Sequence, residues 1–189
     1  MEKGLIVVLS GTSSIGKKRI KDLLLENKDL KLFYSISLTT RPPKADEIDG
    51  EDYFFVSHQH FADAVKNREL LEFTEFNGYY YGTPLNNIDF LINNGKNVLI
   101  EVEAQGVGQI RLVYPNCLAF FIFPESIEEL EKQMRARYQD ESSIQQRLNK
   151  AKMELELASL FPYAIKATTP NAVAKEIETV ISKHLKVKE

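Results

Sequence analysis

Gly11–Thr12–Ser13–Ser14–Ile15–Gly16–Lys17–Lys18 places two glycines and a lysine at the GxxxxGK spacing. Backbone N–H groups of such a loop cradle phosphate oxygens, and its lysine reaches the terminal phosphates of a nucleotide. Gly11, Ser13, Ser14, Ile15, Gly16, Lys17 and Lys18 are therefore candidate phosphate binders. The position after the lysine ordinarily carries a Ser or Thr hydroxyl that holds magnesium. Lys18 stands there instead, and an ammonium has donors only. It can neutralise phosphate charge in place of the metal or repel the metal outright, so no protein ligand to a metal is assigned. Ser14 sits where a glycine would accept left-handed backbone angles that Ser resists. The competing reading is a glycine-rich strand-to-helix turn without a ligand. The apolar run Leu5–Leu9 before the loop and the helix-compatible Lys17–Leu25 after it favour phosphate.

A second constellation runs from Ser35 to Phe55 and combines hydroxyls, an arginine, a lysine and a tyrosine. These groups suit a phosphate monoester: Arg41 offers a planar fork, Lys44 a point charge, and Tyr53 and Tyr81 phenolic donors. Glu72 falls in the same region. Its carboxylate can accept from both the N1–H and the N2 amine of guanine, a donor pair that adenine lacks. Residue types alone support a solvated polar loop with structural tyrosines equally well.

The elements that must position these residues alternate. Leu5–Ser10, Leu32–Ser37, Asn97–Val102, Cys117–Ile122 and Ala164–Lys166 read as strands, and helices are expected over Lys17–Glu26, Asn86–Asn94, Ser126–Arg135, Ile144–Ala158 and Ala172–Leu185. That order predicts an α/β fold with a mostly parallel sheet flanked by helices. Gly95 is placed to end one helix, and Ser126 with Glu129 forms a capping box for another. Between the second strand and Pro84 the texture changes to short aromatic segments, Tyr53–Val56, Leu70–Phe76 and Tyr79–Gly82, separated by Asp49–Gly50 and Asn77–Gly78. Ser57 can cap a helix to Lys66. This predicts an inserted, largely antiparallel lobe.

Composition narrows the partners. At 189 residues the chain fits one domain, and a net charge of −3 gives no support for broad nucleic-acid binding. The single cysteine, Cys117, excludes an intrachain disulfide and fits a reducing compartment. The first apolar run is too short for a signal peptide or a membrane span, so a cytoplasmic protein with no membrane partner is expected. Nothing in the sequence fixes an oligomeric state.

The chain resembles the guanylate kinase family along nearly its whole length. The signature S-x-x-T-R-x-P-R-x-G-E-x-x-G-x-D-Y-x-F is answered by Ser37, Thr40, Arg41, Pro43, Lys44, Glu47, Gly50, Asp52, Tyr53 and Phe55. Tyr80–Tyr81–Gly82–Thr83 matches Y-Y-G-T, and Glu103–Ala104–Gln105–Gly106 matches D-x-Q-G, with Glu101 at a further acidic position. Arg135, Arg137, Asp140 and Arg147 answer the lid pattern. The resemblance implies a P-loop core (1–34 and 84–189), a GMP-binding lobe (35–83) and a helical lid (about 126–148). It implies that Ser37, Arg41, Lys44, Tyr53 and Tyr81 hold the GMP phosphate, that Glu72 and Thr83 read guanine, and that Glu103 lies nearby. Lys17 would grip ATP, Arg137 would lie on the ATP side, and Arg135 and Arg147 would close over the transferring group. The implied reaction moves the γ-phosphoryl of Mg-ATP to GMP, giving ADP and GDP.

Departures from the family pattern gather on one side. Lys44 and Asp46 are the changes in the GMP lobe. On the ATP side Lys18 replaces the hydroxyl, Ser14 a glycine, Tyr138–Gln139 the lid's Gly–Thr, and Lys166–Ala167–Thr168 the adenine-side V-N-D. A preserved acceptor site beside an eroded donor site leaves a kinase of reduced activity as the first reading. The alternative is a catalytically weak GMP-binding paralogue, acting as sensor or interaction module.

Overall fold

The computed structural model describes residues 3–186. In chain order they form β1 (Ile6–Gly11), α1 (Lys17–Glu26), β2 (Leu32–Tyr34), β3 (Leu38–Thr39), β4 (Phe54–Phe55), α2 (His58–Lys66), β5 (Leu70–Phe76), β6 (Tyr79–Pro84), α3 (Leu85–Asn93), β7 (Asn97–Glu101), α4 (Gly106–Val113), β8 (Leu118–Phe123), α5 (Ile127–Arg137), α6 (Glu141–Glu156), β9 (Tyr163–Lys166) and α7 (Pro170–Lys186). Five strands pair in parallel in the order β2–β7–β1–β8–β9. β1 is buried at every position because helices cover both of its faces. Leu9, Leu99 and Phe120 pack against α1 and α7, while Val8, Ile100 and Phe121 pack with residues of α3 and α4 on the other face. Buried Asn97 staples the sheet's lower end: its Oδ1 accepts from Leu5 N (2.9 Å) and its Nδ2 donates to Leu30 O (2.8 Å).

The second sheet, ordered β4–β3–β6–β5, is the inserted lobe. The β5–β6 hairpin turns at Asn77 (φ +53°) and Gly78 (φ +75°), the positive pair required by a tight hairpin turn. The lobe is less uniformly antiparallel than expected, since β3 and β4 run parallel. Its α2 is capped as expected by Ser57, which accepts from His60 N.

Three elements differ from the sequence expectation. The strand expected over Leu32–Ser37 stops at Tyr34; Ser35 N still donates to Leu99 O before the chain leaves to start the lobe at Leu38. α6 begins at Glu141 rather than Ile144, because the Asp140 carboxylate accepts from Ser143 N at 2.7 Å and caps it. α4 was not anticipated, since Gly106 and Gly108 suppress its helical signal. α5 and α6 share a small core of their own, Leu130, Met134, Ile144, Leu148 and Ala151. Among the described residues no helix is long and apolar enough to cross a membrane.

Candidate active site

The tops of β1 and β7, the start of α1, the lobe and α6 enclose a cleft of about 360 Å³. At its phosphate-loop end, the loop after β1 carries Ser14 at φ +68° and Gly16 at φ +89°. Gly16 meets that backbone demand freely; Ser14 adopts it at the steric cost anticipated for a side chain there. The Lys17 ammonium folds into the loop, donating to Gly11 O (2.7 Å) and Thr12 O (3.4 Å). A second anchor comes from α6: the Ser13 N–H donates to Glu154 Oε2 at 2.9 Å. Gly11 and Ile15 shape the loop without lining the cleft.

At the cleft's lobe end, Arg41 follows β3, and its guanidinium donates to Glu47 Oε1 (2.8 Å) and Pro42 O (2.7 Å). It lies over the Tyr53 ring at 5.5 Å and the Phe55 ring at 5.8 Å. Partial burial works against ionisation of Glu47, yet Arg41 and the Lys44 N–H hold its carboxyl below the usual range. The fork of Arg41 is therefore fixed before any ligand arrives. Ser37 is buried beside it, and Tyr81 meets Tyr53 edge-on at 6.0 Å. Burial, helped by the charge of Glu101, pushes the Tyr53 hydroxyl upward, so it remains a donor at neutral pH. Lys44 is the loosest member, with its ammonium exposed and 3.9 Å from Glu47.

Glu72 on β5 is 4% exposed, and its Oε1 accepts from Thr83 Oγ1 on β6 at 2.5 Å. Burial pushes its carboxyl up to about 7, opposed by the Thr83 hydroxyl and reinforced by nearby Glu103. Gly106 makes room for it, because a Cβ there would lie 2.6 Å from Glu72 Oε2. α4 is tied to β5 by Gln109, which donates to Phe73 O and accepts from Phe73 N, and by a Gln105–Thr74 hydrogen bond. Glu103 precedes that helix, and its carboxylate contacts the Lys150 ammonium at 2.5 Å.

Of the residues singled out in the sequence, Ser13, Ser14, Lys17, Ser37, Arg41, Lys44, Tyr53, Glu72, Tyr81, Glu103 and Arg147 line one cleft. Thr83 stands behind Glu72. Gly11, Ile15 and Gly16 belong to the loop backbone, and Lys18, Arg135 and Arg137 point elsewhere. Lys18 turns outward, 3.7 Å from Asp52 Oδ1 of the lobe. Arg135 is held on the lid surface by Glu131 and Glu141, each at 2.6 Å. Arg137 reaches the back of the phosphate loop, donating to Ser14 O at 3.3 Å. Arg147 lies 4.4 Å over the Tyr138 ring, with a buried Nε that has no hydrogen-bond partner. Sequence reasoning gave no role to Tyr34, Thr74, Lys150 or Glu154. A cation and a carboxylate four residues apart on a helix usually mark a solvated face, and only the docking of α6 turns them inward.

A family model described as Guanylate kinase matches residues 3–184. The guanylate kinase of Mycoplasma mycoides subsp. mycoides SC is 42% identical over 93% of this chain. The chain spans about 60% of that relative's length. The guanylate kinase of Bacillus subtilis is 35% identical over 98% of this chain and 92% of its own. A crystal structure of guanylate kinase from Anaplasma phagocytophilum superposes with a TM-score of 0.80 at 27% identity, covering 97% of this chain and 87% of that one. A parallel core, a lobe and a phosphate loop thus recur together with the sequence that builds them, and this chain belongs to the guanylate kinase family.

Proposed function

We propose that the chain is a nucleoside monophosphate kinase that converts ATP and GMP to ADP and GDP. One observation carries this reading: a single cleft has a buried carboxylate–hydroxyl pair, Glu72 and Thr83, near one end and the phosphate-loop lysine Lys17 at the other. On the acceptor side Ser37, Arg41, Lys44, Tyr53 and Tyr81 hold the GMP phosphate, and Glu72, with Glu103 nearby, reads the base. A phosphate oxygen of GMP attacks the γ-phosphorus, a new P–O bond forms, and the bond to the β–γ bridging oxygen breaks. Lys17, Arg147 and, after lid closure, Arg135 neutralise the transferring charge; positioning and charge supply most of the rate. Arg135 must exchange Glu131 and Glu141 for phosphate to do so. We assign the core to 1–34 and 84–189, of which 1–2 and 187–189 lie outside the described residues, the acceptor lobe to 35–83 and the lid to about 126–148.

The family resemblance implies magnesium with ATP. The residues present do not fit a protein-held ion at the usual place, since Lys18 has donors only and points to Asp52. Among the described residues no group of three His, Cys, Asp or Glu side chains is placed to hold a metal. The outward Lys18 and the engaged Arg135 favour a second reading, a weak enzyme that binds GMP. An ADP-release assay with GMP, AMP, UMP and CMP separates the two. Turnover with GMP alone is expected; no turnover with any acceptor would sink the kinase reading.

A further inference from the structure

α6 carries two charged side chains one turn apart into the region between lid, lobe and core. Glu154 is 4% exposed, and one carboxylate oxygen accepts from the Ser13 N–H at 2.9 Å. Its other oxygen is buried without a hydrogen-bond partner, with the Lys150 ammonium 3.8 Å away. That ammonium contacts Glu103 Oε2 at 2.5 Å and lies 3.4 Å from the centre of the Phe76 ring, at the end of β5. One cation on the lid helix thus touches the acceptor lobe through Phe76, the core through Glu103, and the carboxylate that grips the phosphate loop. The side chain is only 16% exposed, so these contacts are little screened.

We propose, resting on the kinase reading, that Lys150 is a positioning residue for the donor site. By bridging Glu103 and Glu154 beside Phe76, it keeps Glu154 on the Ser13 amide and holds the phosphate loop in the shape that receives ATP.

The physical case is one of charge balance. Buried Glu154 and half-buried Glu103, side by side, cannot both ionise without cations. The cations facing this pair are Lys150 from α6 and Lys17 from α1, while Glu72 on β5 adds negative charge beyond Glu103. Burial and Glu103 already push Glu154 up to about 7, and Glu103 stays below the usual range, against its burial, chiefly because of Lys150. Without Lys150 the proton that Glu154 shares with Glu103 is held to higher pH, so the bond between the two carboxyls competes more strongly with the Ser13 N–H. Lys17 is then drawn from the phosphate loop toward the carboxylates as their remaining cation. Both changes weaken the donor site more than the acceptor site.

Lys150→Met, Lys150→Arg and Glu154→Gln, assayed between pH 5.5 and 8.5 with ATP and GMP varied separately, test this. The expected result for Lys150→Met is an ATP KM raised about tenfold, as for the loss of a charge-assisted contact, with the GMP KM changed less than threefold. The acid limb of kcat/KM for ATP should move to higher pH, and Lys150→Arg should restore both readouts. In a Glu154→Gln background, Lys150→Met should no longer move the acid limb. Equal increases in both KM values, an unmoved acid limb, or failure of arginine to restore either would overturn the proposal. ATP titration calorimetry on the same proteins gives a readout independent of turnover. Wild-type protein that binds ATP without turnover sinks the kinase reading alone. Absent wild-type ATP binding, or unchanged ATP affinity in Lys150→Met, sinks the positioning role. Lys150→Arg and Glu154→Gln keep the test decisive should Lys150→Met fail to fold.

Discussion

In the proposed reaction Glu72 reads the base, and its protonation gives that role a measurable signature. Its ordinary value of 4.5 is pushed up to about 7 by burial, so the ligand-free fold loses stability as pH rises between those values and is flat above. Guanine donors demand the ionised form, so GMP binding below pH 7 must expel a proton. GMP affinity is therefore expected to fall by up to about tenfold per pH unit below 7 and to level off above it. The phosphate of GMP itself titrates near about 6, which Glu72→Gln separates out. Calorimetry of both proteins across pH checks this, and identical pH profiles would place the guanine away from Glu72. Lys18 is the second such residue. Its ammonium is largely exposed in the bridge to Asp52, so Lys18→Ser should leave the melting temperature nearly unchanged. The restored hydroxyl should raise magnesium-dependent turnover. A fall in turnover would show instead that Lys18 neutralises phosphate charge.

At the scale of elements, α4 ties the core to the lobe through Gln109 and Phe73, and its first residue carries a conflict of forces. Alanine would ordinarily favour a helix over glycine by up to about 1 kcal/mol. At Gly106 the added Cβ would meet the Glu72 carboxylate at 2.6 and 3.3 Å, and a buried side chain bonded to Thr83 has little room to yield. Gly106→Ala should therefore weaken GMP binding about tenfold, the worth of a displaced charge-assisted contact, while the protein stays folded. Calorimetry and thermal melting report the two effects separately; unchanged GMP affinity would mean that Glu72 moves freely. The same element explains what was hard to see in advance. Its two glycines hid α4, whereas Ser57 and Ser126 announced their helices correctly and each accepts the expected cap hydrogen bond.

Across the whole molecule, the two sheets give the cleft its two ends, and α6 crosses between them. The sequence by itself determined the parallel core, the inserted lobe and the phosphate loop, because apolar periodicity, turn residues and glycine spacing are local properties. It also marked Lys17 and Arg41 as candidates through motifs, and Glu72 as a carboxylate falling in the lobe. The tertiary structure alone decided which charges meet. Lys18 left the position beside Lys17 for a partner across the lobe boundary, and Arg135 spent its fork on Glu131 and Glu141. Lys150 and Glu154, indistinguishable in sequence from a solvated helical pair, became the groups in contact with Glu103 and Ser13. Long side chains pair by proximity in three dimensions, and burial then sets the strength of each pair. Neither quantity is written in the spacing of residues along the chain.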